Sequence, residues 1–97
     1  MSLPVTIALP QSLTHETSAQ ALDLLGNRLL ASASSKHLVV DAGALQVFDS
    51  SALSVLLGLR RLTVEQSMSF EVASLPVKLQ QLAVAYGVDR ALGGRTD

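Results

Sequence analysis

Val5, Ile7 and Leu9 alternate with Thr6 and Ala8 near the start of the chain, and Pro4 and Pro10 bracket them. A period of two marks a strand with one buried face. The polar stretch Gln11-Ser12-Leu13-Thr14 then reads as a turn. From about Thr17 to Ala31 the period becomes helical, with Ala21, Leu22, Leu25 and Leu29 on one face. Thr14 or Thr17 is suited to cap this helix, and Glu16 is placed for its first turn. Gly26 lowers the helix propensity inside it. Ala31-Ser32-Ala33-Ser34-Ser35 is a small-residue exit loop.

Leu38-Val39-Val40 is an unbroken apolar run ending at Asp41, the pattern of a parallel strand buried on both faces. A loop from Ala42 leads through Val47 and Phe48 to Asp49 or Ser50, either of which can cap a second helix from about Ser51 to Gln66. Ser69-Phe70-Glu71-Val72-Ala73 alternates as a third strand. Pro76 suits the first position of a third helix. Leu75, Leu79, Leu82, Ala83 and Tyr86 line one face of that helix, and Gly87 ends it. Val88 and Leu92 are expected to pack back on the sheet, and residues 93–97 to form a disordered tail. The order is β-α-β-α-β-α. It predicts one α/β domain over residues 1–97, with a mostly parallel central sheet, right-handed crossovers and helices packed against the sheet.

Composition narrows the function. Hydrophobic residues make up 48% of the 97 and charged residues 15%, which argues against intrinsic disorder. A domain this small cannot bury all of its apolar surface, and an exposed apolar patch implies a partner. The net charge of -1 and the 3% aromatic content provide neither a phosphate-neutralising surface nor a stacking platform, so nucleic acid is not an expected partner. There is no cysteine, hence no disulfide or thiolate chemistry, which fits a reducing compartment. Met1-Ser2-Leu3-Pro4 does not open a signal peptide, and no apolar stretch is long enough for a membrane span. His15 and His37 lack metal-ligand neighbours at helical or strand spacing. No Gly-x-Ser-x-Gly elbow, phosphate loop or dinucleotide fingerprint occurs. Asp41 and Asp49 are a conceivable carboxylate pair, but no histidine, lysine or metal ligand stands near them in sequence to complete a mechanism. The expectation is a non-enzymatic module with no metal and no cofactor.

The second helix carries more apolar surface than one sheet face needs. Ala52, Val55, Leu56, Leu59 and Leu62 form one arc, and Leu53, Leu57 and Val64 widen it past half the circumference. Leu53, Leu57, Arg60, Arg61 and Val64 are therefore a candidate partner-binding flank. Ser54 and Gly58 are small enough to let a partner approach closely. At the head of the same helix, Phe48 is an apolar anchor. Asp49 and Ser50 can satisfy the unpaired N–H groups, leaving Ser51 with a hydroxyl open to solvent.

The stretch Leu38-Val39-Val40-Asp41, six residues, then Phe48-Asp49-Ser50-Ser51-Ala52-Leu53 resembles the signature of STAS domains, the sulfate-transporter and anti-sigma-factor-antagonist family. The following strand and Leu-rich third helix match as well, so the resemblance covers roughly the whole chain. The end Leu79, Leu82-Ala83, Tyr86-Gly87-Val88 is most similar to the STAS subunits of Mla-type phospholipid ABC transporters. Ala52 departs from the Gly found in many members. The chain also starts near what looks like the family's second strand, so a more exposed sheet edge is expected.

The resemblance implies partner binding through the helix beginning at Ser50 and the loop before it, which with the apolar flank makes Phe48, Asp49, Ser50, Ser51, Leu53, Leu57, Arg60 and Arg61 the expected partner-binding residues. In transporter subunits the noted hydroxyl directly follows the Asp, which carries over to Ser50. In the anti-sigma-factor antagonists the phosphorylated serine is two residues after it, which carries over to Ser51. Both serines are present, and the sequence does not choose between them. The implied partner is the ATPase subunit of an ABC transporter, or alternatively an anti-sigma factor that is a serine kinase. The implied location is cytoplasmic, peripheral to the inner membrane through the transporter complex and without direct membrane insertion.

Overall fold

A computed structural model describes residues 4–32 and 35–92. The expected 93–97 tail and the 33–34 part of the exit loop lie outside them. Three strands, β1 (Val5–Ala8), β3 (His37–Asp41) and β5 (Ser69–Ala73), form a parallel sheet in the order β1-β3-β5. Three helices follow them in turn, α1 (Ser18–Ala31), α2 (Ser51–Glu65) and α3 (Val77–Ala85). The β-α-β-α-β-α reading holds for these six elements.

Two right-handed crossovers that step across a sheet in one direction deposit their helices on the same face. The strand order requires this here, and α1 and α2 pack against each other on that face. The register confirms which side chains they cover. Leu38 lies between Val5 and Phe70, and Val40 between Ile7 and Val72. Leu38 and Val40 are fully buried. The next rows, Thr6-Val39-Glu71 and Ala8-Asp41-Ala73, point the other way. Thr6, Glu71 and Ala8 are exposed and Val39, Asp41 and Ala73 half-buried. The expectation that β3 is buried on both faces is therefore corrected, because no described helix crosses to the second face. There the His37 ring contacts the Ser69 hydroxyl through Nδ1, and its Nε2 lies 3.7 Å from Glu71 Oε1.

The turn expected at residues 11–14 and the loop before Phe48 instead contain a small second ladder. Strand β2 (Ser12–Leu13) pairs in parallel with β4 (Val47–Phe48), Ser12 beside Val47 and Leu13 beside Phe48. Two-residue strands are too short to show alternation. The Gln46 and Val47 N–H groups both donate to the Gln11 carbonyl, at 2.8 and 3.0 Å. Leu13 anchors the ladder in the core.

Helix boundaries refine other expectations. Thr17 is the first cap of α1, but its side chain makes no capping bond, and Glu16 precedes the first turn rather than lying in it. Pro76 is the cap of α3, not its first residue, because its ψ of 142° is extended. Gly87 adopts φ 72°, and the Gly87 and Val88 N–H groups bond to the Val84 and Ala83 carbonyls at 3.0 and 2.9 Å. This is the Schellman closure that a glycine favours. Leu92 then returns to the core, with Val88 packed at its edge.

A docking surface at the start of helix α2

The β2–β4 ladder aligns two chain segments that continue side by side, one into the turn at His15, the other into Asp49. Asp49 joins them. Its Oδ2 accepts the His15 backbone N–H at 3.0 Å and lies 3.1 Å from His15 Nδ1. Its Oδ1 accepts the Ser51 N–H at 2.8 Å. The carboxyl is held well below the usual carboxylate range, first by the His15 N–H, then by the Ser51 N–H and the His15 ring. Hydrogen bonds to the ionised form favour it, which is the reason for the direction. Asp49 is thus a charged clip between two loops, with both oxygens in use. Asp41 is committed separately, its Oδ1 accepting the Gly43 N–H at 2.8 Å. Each carboxylate thus has its own set of hydrogen-bond partners, His15 and Ser51 for Asp49 and Gly43 for Asp41.

Ser50 occupies the cap position with helical φ and ψ of -62° and -15°, and its side chain makes no capping bond. Its expected role as a side-chain cap is corrected, because Asp49 takes the first-turn N–H instead. Ser50 is exposed and Ser51 half-buried, the reverse of the expected order of accessibility. The first-turn N–H groups are already paired, Ser51 with Asp49 Oδ1 and Ala52 and Leu53 with the Asp49 and Ser50 carbonyls, so the exposed Ser50 hydroxyl is the group at this helix start suited to hydrogen bonding with a partner.

A groove of about 340 Å³ opens next to Ser50. Leu53, Ser54 and Leu57 form its α2 wall, and Tyr86 and Val88 its opposite wall. Leu53 is 4% exposed and serves mainly as floor, with Leu57 half-buried above it. Phe48 is partly buried against the core. Arg60 and Arg61 are exposed further along α2, outside this groove. Gly58 is corrected as a point of partner approach. A Cβ there would meet Leu22 Cδ2 at 2.7 Å, so α1 already fills that space.

Sequence reasoning missed two residues of this surface. Tyr86 reads as part of the apolar face of α3, yet it is 61% exposed and lines the groove. Its position directly before the helix-closing Gly87 is the signal, since a C-cap side chain leaves the helix's packed face. His15 had no signal in sequence, because its partner Asp49 is 34 residues away. Among the described residues no cluster of three acidic or histidine side chains could hold a metal, and no helix is long and apolar enough to cross a membrane.

The parallel three-strand sheet, its interleaved helices and the Asp-Ser-Ser opening of α2 define a small STAS-type α/β domain. A family model described as MlaB, STAS domain, matches residues 3–94, and the chain belongs to that family. No curated protein matches the chain.

Proposed function

We propose that this chain is a non-enzymatic accessory subunit that binds and supports the cytoplasmic ATPase of an Mla-type phospholipid ABC transporter, the system that maintains outer-membrane lipid asymmetry. The observation that carries the reading is the groove beside Ser50. It combines an apolar floor, an exposed tyrosine wall and an uncommitted hydroxyl, the elements of a protein interface rather than of a reaction centre. Asp49 supports the reading by fixing the groove's rim and not by chemistry. Membership in the MlaB-type STAS family is the second support.

Co-purification with an Mla-type ABC-transporter ATPase from the same organism tests the proposal. Ser50→Glu and Tyr86→Ala are both surface changes. Ser50→Glu places a negative charge at a helix N-terminus, which favours the fold. Both variants are expected to fold normally and to lose most of the complex. A complex that forms equally well with both would refute the interface.

The rival reading is an anti-sigma-factor antagonist switched by serine phosphorylation. The exposure of Ser50 favours a modifiable serine there. Ser51 is the less accessible target, and a phosphate on it would stand beside the ionised Asp49. Incubation with the cognate kinase and mass spectrometry decides between the readings. Stoichiometric phosphate on either serine would favour the antagonist.

A further inference from the structure

A second groove, of about 280 Å³, lies at the other end of α2. Arg60, Thr63 and Val64 form one wall, Met68 to Phe70 the floor, and Arg90 with Ala91 the other wall. The residues that α2 and its cap give to the two grooves, Ser50, Leu53, Ser54, Leu57, Arg60, Thr63 and Val64, follow each other at spacings of one and three. They make one stripe. The facing wall is also continuous, Tyr86 and Val88 beside the first groove, Arg90 and Ala91 beside the second. The two grooves are separate but follow one another along α2, Leu57 of the first standing three residues before Arg60 of the second, so that an extended segment of about 20 Å would reach both at the helical rise per residue.

The two grooves differ in chemistry. The Ser50 end is apolar with hydroxyls at the rim. The far end brings two guanidinium groups to one groove, and among the described residues neither has an acidic partner. Thr63 does not neutralise them, since it is fully buried and donates its hydroxyl to the Arg60 carbonyl at 2.6 Å. Val64, 61% exposed, adds apolar surface beside the charges. Two forked cations next to apolar surface fit a carboxylate carried on an apolar protein segment better than a fully hydrated small anion.

We propose that Arg60 and Arg90 are a second anchor for the ATPase, binding carboxylates of the same segment whose apolar part fills the groove beside Ser50 and Tyr86. This rests on the function proposed above. It adds a polarity: the docked segment runs with its apolar residues toward Ser50 and its acidic residues toward Val64.

The test measures affinity for the purified ATPase as a function of salt. The Arg60→Glu/Arg90→Glu double variant is expected to bind about tenfold more weakly or worse, and with a flatter salt dependence. Arg60→Lys/Arg90→Lys keeps the charge and is expected to retain part of the affinity. Lys78→Glu, an exposed charge reversal outside both grooves, is expected to bind like the wild type. If Tyr86→Ala breaks the complex while the double reversal leaves it intact, the second anchor is refuted and the proposed function stands. If the wild-type chain forms no complex, both fail. Titration of the free chain with sodium phosphate supplies the remaining arm. Amide shifts confined to Arg60, Thr63 and Arg90 with an unaffected complex would assign the groove to a free anion and overturn the proposal.

Discussion

The two flanks of α2 are packed to different depths. On the flank toward α1, Gly58 admits the Leu22 side chain, and a Cβ would come within 2.9 Å of both its methyl groups. One turn earlier on nearly the same face, Ser54 borders the open flank and is exposed at the edge of an unfilled groove. The two positions are one helical turn apart and both carry small residues. The first is small because the fold needs the space. The second leaves space that nothing in the fold uses. Small residues alone therefore do not identify a docking surface, and the neighbouring helix decides which gaps stay open.

The sharpest way to test this contrast is Gly58→Val. The branched side chain must displace Leu22 or push the helices apart, and overpacking of this kind costs about 1–3 kcal/mol. Urea denaturation should show the loss in midpoint with the slope unchanged. Gly58→Ala is expected to cost much less, since leaving glycine gains about 1 kcal/mol of helix propensity and the Leu22 methyls can shift. If Gly58→Val is as stable as the wild type, α1 does not fill the space as described.

Ser54→Leu probes the open flank. An exposed helix position away from the core tolerates substitution to within about 0.5 kcal/mol. Leucine there should occupy the groove beside Tyr86 and weaken ATPase binding about tenfold, a change of about 1.4 kcal/mol in binding with nearly none in folding. Isothermal titration and thermal melting of the same preparation separate the two quantities. Equal binding by Ser54→Leu would place the partner elsewhere on the molecule.

A smaller effect belongs to Asp49, which holds the rim of the open flank. Its carboxyl titrates below the ordinary range in the fold, so its contribution is complete above the unfolded value of about 3.9 and fades as pH falls below it. Asp49→Asn should melt earlier than the wild type near neutral pH. The two melting temperatures should converge as the pH is lowered toward about 2. A gap that is constant over this range would mean that the charge on Asp49 does not hold His15 and Ser51.

The sequence pattern placed the three long helices and three sheet strands because each is long enough to show its period. Leu25 and Leu29 of α1 and Leu56 and Leu59 of α2 are buried as their spacing requires. What it could not place depends on chain meeting chain at a distance. The β2–β4 ladder joins residues 35 apart with only two positions in each strand. The open second face of the sheet follows from strand order, which periodicity does not contain. The Asp-Ser-Ser segment stood out as a helix opening, but which serine is free depends on Asp49 taking the Ser51 N–H. Tyr86 and Gly58 exchanged their apparent roles for the same reason: an apolar wheel position says nothing about whether a neighbour arrives.

The smallest expected effect lies at the closed end of α2, where the helix stops at Ser67. Ser67 has φ 56°, and the Ser67 and Met68 N–H groups bond to the Val64 and Thr63 carbonyls at 3.2 and 2.8 Å. This is the same closure that α3 makes with Gly87, built here on a residue with a Cβ. The left-handed conformation costs a side-chain-bearing residue roughly 1–2 kcal/mol, and glycine avoids it. Glycine also has more freedom to lose on folding, which offsets part of the gain. Ser67→Gly is therefore expected to stabilise the chain by about 0.5–1 kcal/mol, read as a higher melting temperature. Because Ser67 lines neither groove, ATPase affinity should not change. A lower melting temperature would show that the serine hydroxyl contributes more at this turn than its backbone conformation costs.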